Sequence, residues 1–287
     1  MTPRRRPPPG LVLGALGVLG FSFSLPATKL AVADLDPWFV AFGRAAVAAG
    51  LAAVVLTATR APRPTGRQWR SLLVVAGGVV IGFPLLTSLA LETRPAGQSA
   101  VVIAVLPAAT AVMAVLRAGE RPSAAFWLAS GAGLAAALTF AVTRGAGGPG
   151  AADLLLLGAV VLCALGYAEG GALSRTLGGA RTICWALVLS APLTAPVAAL
   201  TAGGLQAGSA AWVGFAYVSA ISMFLGFFAW YAGLARGGVA RVGQVQLAQP
   251  ILGLSWAALV LGEPITRGDG LTAAVVLGCV VATQRAR

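Results

Sequence analysis

The distance between successive charged residues constrains this chain more than any other feature. Uncharged runs of 21 or 22 residues recur between them, the clearest being residues 71–91, 95–116, 122–143 and 242–262. A helix needs about 20 mostly apolar residues to cross the hydrocarbon core of a bilayer. Each of these runs therefore predicts one membrane-spanning helix.

Six more spans bring the predicted count to ten. Residues 7–33 and 37–59 are broken only by Lys29 and Arg44, and residues 154–174 contain only Glu169. The uncharged stretch 182–235 is too long for one helix and predicts two, divided near Gly203, Gly204 and Gly208. Residues 270–284 give a short tenth span. The predicted fold class is an all-α integral membrane protein with ten transmembrane helices.

The first span has an alternative interpretation as a cleavable signal peptide. Arg4 to Arg6 precede an apolar segment at 11–25, and Ala31-Val32-Ala33 imitates a cleavage site. Cleavage would leave nine spans, so the transmembrane interpretation is preferred.

The sign and position of the charges predict the orientation. The chain is 58% hydrophobic and only 10% charged, which excludes a soluble enzyme or nucleic-acid-binding domain despite a net charge of +12. Of the 20 basic residues, three fall on one side of the predicted spans: Arg94, Arg144 and Arg267. Fifteen fall on the other, which also carries both termini. Basic loops face the cytoplasm, so we expect an inner-membrane protein with both termini cytoplasmic and the lipid bilayer as its main partner.

The residue inventory argues against an enzyme. The chain has no histidine, and its three cysteines lie in apolar runs without paired spacing, so a metal site is not expected. It contains no glycine-rich phosphate-binding loop, so no cofactor is expected either.

The two halves of the chain match each other at one constant offset. The offset that carries Pro107 onto Pro250 also carries Gly119 onto Gly262 and Glu120 onto Glu263. Each half holds five predicted spans, and an odd number inserts the second half upside down. The sequence thus predicts two inverted five-helix repeats, residues 1–148 and 149–287, an arrangement common among secondary transporters.

These residues resemble the EamA family of the drug/metabolite transporter superfamily. The similarity rests in the second half on Trp230 to Leu234, Ala240, Gln249-Pro250 and Leu261 to Pro264. The first half carries matching residues at Leu106-Pro107, Gly119 to Pro122, Lys29 and Arg44. The resemblance covers nearly the whole chain. It implies a ten-helix, two-repeat carrier that moves small metabolites, often outward, without ATP or a cofactor.

Glu169 is the most informative candidate residue, because a carboxylate inside a span is costly unless it faces a cavity or a partner. It could accept a proton, which would make protons a coupling ion, or bind a substrate amine. Alternatively it is a structural partner of Arg175 or of another buried cation.

Lys29 and Arg44 lie in the outer parts of the first two spans and could bind a carboxylate or phosphate. Lys29 could instead extend to the interface and meet Asp34 or Asp36. Arg44 lies deeper, about 10 Å below Pro37 at 1.5 Å per residue, where a buried ion pair or a substrate role is expected.

Polar residues cluster near the two mid-span prolines. Gln244, Gln246 and Gln249 precede Pro250, while Gln98, Ser99 and Thr110 surround Pro107. A proline frees a backbone carbonyl, so these positions predict irregular helices lining a central cavity, with interhelical hydrogen bonding as the alternative.

Aromatic and acidic residues complete the set of candidates. Trp230, Tyr231 and Tyr167 are candidate cavity walls, although aromatic side chains in membrane helices also serve in packing. Glu120 and Glu263 lie at span ends, where a structural role in capping and orienting helices is expected.

The function predicted is secondary transport of small metabolites by alternating access, with efflux as the expected direction and amino acids or related compounds as candidate substrates. Lys29 or Arg44 together with Glu169 could hold the two ends of a zwitterion. The alternatives are a non-transporting membrane scaffold or sensor and, less favoured, a membrane-embedded lipid enzyme. An enzyme would need a nucleophile or an acid/base pair at one interface, for which the spans offer little.

Overall fold

The computed structural model describes residues 9–94, 99, 102–143, 150–203 and 206–261, together with scattered positions between 274 and 285. We number the helices in chain order: α1 Pro9–Val32, α2 Pro37–Ala58, α3 Gly66–Thr93, α4 Leu106–Ala118, α5 Ala124–Thr143, α6 Ala151–Leu177, α7 Gly179–Thr201, α8 Ser209–Gly237 and α9, residues 239–261.

Six of these helices, α1 to α3 and α6 to α8, are long and apolar enough to cross a membrane. Helix α4 and the first part of α5 are shorter apolar helices. The predicted division of residues 182–235 is confirmed, because α7 ends at Thr201 and α8 begins at Ser209. The all-α, multi-pass class is therefore confirmed, while the predicted tenth helix at 270–284 lies largely outside the described residues.

Local sequence signals set several of the helix ends. Asp36 caps α2, where its Oδ1 accepts hydrogen bonds from the backbone N–H groups of Trp38 at 2.8 Å and Phe39 at 3.0 Å. Gly178 and Gly238 connect α6 to α7 and α8 to α9 with φ of +87° and +85°, a conformation that favours glycine. These single-residue connections make each following helix turn back sharply.

Four helices depart from regular α geometry. Helix α1 is interrupted at Phe23, since Pro26 has no N–H to bond the carbonyl of Ser22. Helix α9 contains a 3₁₀ stretch, Gln244–Ala248, directly before Gln249 and Pro250. Helices α3 and α8 contain π-helical stretches at Ala76–Gly82 and Val218–Leu225.

The helix bounds follow the offset found in the sequence. When the bounds of α1, α2, α3 and α4 are shifted by the offset that carries Pro107 onto Pro250, they nearly coincide with those of α6, α7, α8 and the last part of α9, Gln249–Leu261. The π-helical stretch of α3 shifts onto that of α8 in the same way.

Packing is also reciprocal between the two sets of helices. Helix α1 packs against α8 as α6 packs against α3, and α2 packs against α7. Close approach of α1 to α8 depends on Gly17, since a Cβ there would lie 2.9 Å from Cβ of Trp230. The bundle has two ends, which we call the basic face, with Arg60, Arg117, Arg175 and Arg236, and the acidic face, with Asp34, Asp36, Glu92 and Asp153.

Candidate functional site

Two of the irregular helices, α1 and α9, meet in the interior of the bundle. The side-chain amide of Gln249 donates a hydrogen bond to the backbone carbonyl of Phe21 at 3.4 Å. The indole N–H of Trp256 donates to Ser22 Oγ at 2.8 Å. Both contacts join α9 to the residues just before the interruption of α1, and one of them comes from Gln249, directly after the 3₁₀ stretch.

An aromatic cluster contacts the 3₁₀ stretch of α9 through Gln246. The ring centroid of Tyr167 lies 5.2 Å from that of Trp230 and 6.1 Å from that of Phe227, and Phe21 lies 5.9 Å from Trp230. The side-chain amide of Gln246 donates to the Tyr167 hydroxyl at 3.4 Å. We call these five residues the aromatic–amide cluster.

The aromatic–amide cluster is almost fully buried, with 0% exposure for Trp230 and 3% for Gln246. Trp230 Nε1 and Gln246 Oε1 have no hydrogen-bond partner among the described residues. One is a donor and the other an acceptor, and a buried polar atom without a partner costs about 1–3 kcal/mol. Buried groups of this kind need an explanation, and a bound water, ion or ligand is one.

Gln244, two residues before Gln246, has a different role. Its amide donates to the carbonyl of Pro107 at 3.1 Å, and its Oε1 accepts from the Ser130 hydroxyl at 3.1 Å. Both ends of this side chain are satisfied by protein groups. It joins α9 to α4 and α5.

Arg44 is buried in α2 with only 3% exposure. Its Nη1 donates to Thr28 Oγ1 on α1 at 3.4 Å, and its Nε has no partner. Within the part of the chain that the structure describes, no carboxylate forms an ion pair with Arg44. The guanidinium is thus a buried cation without a counter-ion from these residues.

Lys29 lies near the acidic face but meets neither Asp34 nor Asp36. Its ammonium donates to the backbone carbonyls of Leu91 at 2.8 Å and Glu92 at 3.5 Å, at the end of α3. A cation at a helix C-terminus is stabilised by the helix dipole and by the free carbonyls there.

Glu169 lies near the basic face and pairs with Arg117 instead of Arg175. Its Oε2 accepts from Arg117 Nη2 at 3.0 Å and Nε at 3.1 Å, while Oε1 accepts from the Ser71 hydroxyl at 2.6 Å. The carboxylate is 15% exposed and the arginine 46%. The ion pair connects α4 to α6, and the serine adds α3.

Glu120 caps α9 at the same face. Its two carboxylate oxygens accept from the backbone N–H groups of Val239 at 2.7 Å and Ala240 at 2.8 Å, and Oε1 also accepts from Arg175 Nη2 at 3.0 Å. The expected capping role of Glu120 is therefore what the geometry provides, while Glu263 lies outside the described residues.

Two further contacts join the same sets of helices at the acidic face. Arg94 forms an ion pair with Asp153, and the N–H of Gly208 donates to Asp34 Oδ2 at 2.9 Å. A cavity of about 480 Å³ opens beside Asp34 and Asp36, lined also by Phe39 and Thr201.

The structure brings together some of the residues that the sequence singled out. Tyr167, Trp230 and Gln246 form one cluster and Gln249 lies beside it, whereas Lys29 and Arg44 lie towards the acidic face and Glu169 towards the basic face. Gln98 and the side chain of Pro250 lie outside the described part of the chain.

The sequence did not indicate several residues that the structure places at these sites, namely Phe21, Phe227, Arg117, Ser71 and Ser88. Pro26 could have indicated the interruption of α1, but no sequence signal pairs Arg117 with Glu169.

The chain is a multi-pass helical membrane protein. It has apolar helices of spanning length, the buried aromatic–amide cluster in its interior and ionic contacts at both ends. The family model of the EamA-like transporter family matches residues 8–142 and again residues 150–283. The chain belongs to this family, and the resemblance read from its sequence is confirmed.

The comparisons also give a close relative and a similar structure. The chain is 49% identical over 280 residues to a protein of Bacillus subtilis (strain 168) named "Uncharacterized transporter YdeK", covering 96% of this chain and 97% of the relative. A solved structure described only as "Crystal structure of protein" matches with a TM-score of 0.80 and 16% identity, covering 96% of this chain and 97% of that one. At that identity the structural match establishes the fold alone.

Proposed function

We propose that this protein is a secondary transporter that exports small metabolites across the inner membrane by alternating access. The observation that carries the proposal is the aromatic–amide cluster, in which residues of α1, α6, α8 and α9 bury an unpartnered donor, Trp230 Nε1, and an unpartnered acceptor, Gln246 Oε1. Discontinuous helices at mid-bundle are where secondary transporters bind their substrates.

Two inverted halves, residues 1–148 and 149–287, supply the moving parts in this proposal. It is supported by the near coincidence of helix bounds and π-helical stretches at the offset of the sequence repeat, and by the reciprocal packing of α1 on α8 and α6 on α3. Rocking of one half against the other would expose the cluster to each face in turn.

The contacts at the two faces would then serve as gates, since each joins a residue of one half to a residue of the other. At the basic face they are Glu169 with Arg117 and Glu120 with Arg175. At the acidic face they are Arg94 with Asp153 and Asp34 with Gly208. The positive-inside rule assigns the basic face and both termini to the cytoplasm.

Glu169 is also the proposed proton-coupling residue. Its carboxylate accepts bonds from both Arg117 and Ser71. Protonation would remove the charge that holds Arg117 and so release one gate contact.

Direct transport measurement tests the proposal. The purified protein is first screened for thermal stabilisation by amino acids, nucleosides, polyamines and organic cations, and compounds that stabilise it are followed as radiolabelled substrates in proteoliposomes. We expect at least one stabilising compound to be transported, and Trp230→Phe to reduce its binding because the indole donor is lost while a ring is kept.

Trp185→Phe is the matched control. Trp185 Nε1 is also buried without a partner among the described residues, but its ring packs edge-to-face against Trp69 outside the cluster. Equal loss in both variants, or stabilising compounds that never cross the membrane, would contradict the proposal and favour a scaffold or sensor.

A further inference from the structure

The helices α1, α2 and α3 pack in layers towards the acidic face. Val32, Val40 and Leu91, one from each helix, belong to a single buried apolar cluster. This apolar layer lies between the acidic face and the residues one helical turn further into the bundle.

One turn deeper, all three helices present a polar residue instead. The positions are Thr28, four residues before Val32, Arg44, four after Val40, and Ser88, three before Leu91. Residues three or four apart share a helix face, so the three side chains lie on the same sides as the apolar layer above them. They are 2%, 3% and 0% exposed.

This polar layer has hydrogen-bond donors in excess. Arg44 Nη1 already bonds Thr28 Oγ1, but Arg44 Nε and Ser88 Oγ have no partner among the described residues. The arginine contributes a full charge that the low dielectric of a membrane interior penalises unless it is paired.

The nearest acidic groups along the chain are committed elsewhere. Asp36 caps α2 two helical turns closer to the surface, and Asp34 bonds the N–H of Gly208. The neighbouring charge in sequence, Lys29, is another cation and is bonded to the carbonyl of Leu91. Counting only the residues that the structure describes, the layer has a local positive excess together with unused donors.

We propose that Arg44, with Ser88, is a binding site for the carboxylate of the transported molecule. The free Nε edge of a guanidinium presents parallel N–H donors that match the two oxygens of a carboxylate, and the serine hydroxyl can add a third bond. A phosphate dianion would carry more charge than this single guanidinium neutralises. This inference rests on the proposed function and narrows its substrates to small carboxylates and zwitterions.

The test compares acids with the corresponding amides, which lack the carboxylate. Thermal stabilisation of the purified full-length protein is measured with acetate against acetamide, hexanoate against hexanamide, and L-leucine against L-leucinamide, at constant ionic strength set with chloride. Inorganic phosphate and sulfate are added as separate probes. We expect at least one acid to stabilise the protein where its amide does not, and phosphate and sulfate to have no comparable effect.

Three variants locate the effect. Arg44→Gln should abolish the difference in stabilisation between acid and amide. Ser88→Ala should weaken acid binding about 5-fold. Arg63→Gln, in the loop between α2 and α3, should leave acid binding unchanged. Because an unpaired buried cation is removed, Arg44→Met should also raise the melting temperature measured without added carboxylate. If Arg44→Gln does not fold, Ser88→Ala and Arg44→Lys still report on the site in folded protein.

Several outcomes would overturn the inference. They are acid and amide acting alike in every pair, an acid effect that survives Arg44→Gln, phosphate or sulfate binding in place of carboxylate, and a lowered melting temperature of Arg44→Met. Transport of a neutral compound with no acid effect would reject this site and leave the transporter proposal standing. Carboxylate binding that depends on Arg44, without transport of any compound, would support this site and reject the transporter proposal.

Discussion

At the scale of single residues, ionisable groups in the bundle fall into two kinds. Glu169, Glu120 and Lys29 have partners that account for their charge, whereas Arg44 has a hydrogen bond but no counter-ion among the described residues. Sequence spacing indicated that Lys29, Arg44 and Glu169 needed explanation, because charge is costly inside a span. It could not assign partners, since the partners come from helices distant in sequence.

Replacing Glu169 by glutamine tests its proposed coupling role. The amide keeps a hydrogen-bond acceptor for Ser71 but loses the charge that holds Arg117, and it cannot take up a proton. We expect pH-driven uptake in proteoliposomes to fall at least about 10-fold and its pH dependence to disappear, because the proposed proton acceptor is removed.

Arg117→Gln is the matched control for that experiment. It breaks the same ion pair but keeps the carboxylate, so transport should slow while some pH dependence remains. Unchanged transport and unchanged pH dependence in Glu169→Gln would remove this residue from the mechanism.

Glu120 gives a prediction about stability. Glutamine offers one acceptor oxygen where the carboxylate offers two to the N–H groups of Val239 and Ala240, and it carries no charge to match the helix N-terminus or Arg175. We expect Glu120→Gln to cost about 1–2 kcal/mol and to lower the melting temperature by several degrees. Glu92→Gln, at an exposed carboxylate, should leave the melting temperature nearly unchanged, and equal losses would contradict the assigned capping role.

At the scale of the helices, the sequence predicts positions better than internal geometry. Runs with at most one charged residue located α2, α3, α6, α7 and α8, because a bilayer-spanning helix carries few charges along its length. The interruption of α1 and the π-helical stretches were not predicted. The interruption of α1 arises where Pro26 frees a backbone carbonyl, and Gln249 and Trp256 of α9 bond the residues beside it.

Close packing of α1 on α8 gives a prediction at this scale. A Cβ at Gly17 would lie 2.9 Å from Cβ and 3.0 Å from Cα of Trp230, so the two helices must separate to admit it. We expect Gly17→Ala to lower the melting temperature by several degrees and to reduce transport, since Trp230 is displaced.

Gly50→Ala is the control for this packing effect, because nothing lies within 4 Å of a Cβ at Gly50 on α2. Alanine there should be neutral or slightly stabilising, since it favours helix more than glycine does. A Gly17→Ala protein as stable and active as Gly50→Ala would show that α1 and α8 tolerate separation.

At the scale of the whole molecule, the proposed repeat relates two sets of helices that pack into one bundle. The repeat offset was visible in three residue pairs, and the helix bounds and π-helical stretches follow the same offset. The aromatic–amide cluster could be predicted only in part, because Tyr167, Trp230 and Gln246 lie on three helices whose packing the sequence does not state. The chain belongs to the EamA-like transporter family, and the buried aromatic–amide cluster is the basis of the alternating access proposed above.

A disulfide across the acidic face tests that claim most directly. Asp34→Cys and Gly208→Cys are introduced in a background lacking Cys163, Cys184 and Cys279, since Gly208 N and Asp34 Oδ2 are 2.9 Å apart. Transport of a stabilising compound is measured in proteoliposomes before oxidation, after it, and after reduction, with bond formation checked by mass spectrometry. Alternating access predicts that oxidation stops transport and that reduction restores it. Undiminished transport through the cross-linked protein would contradict alternating access.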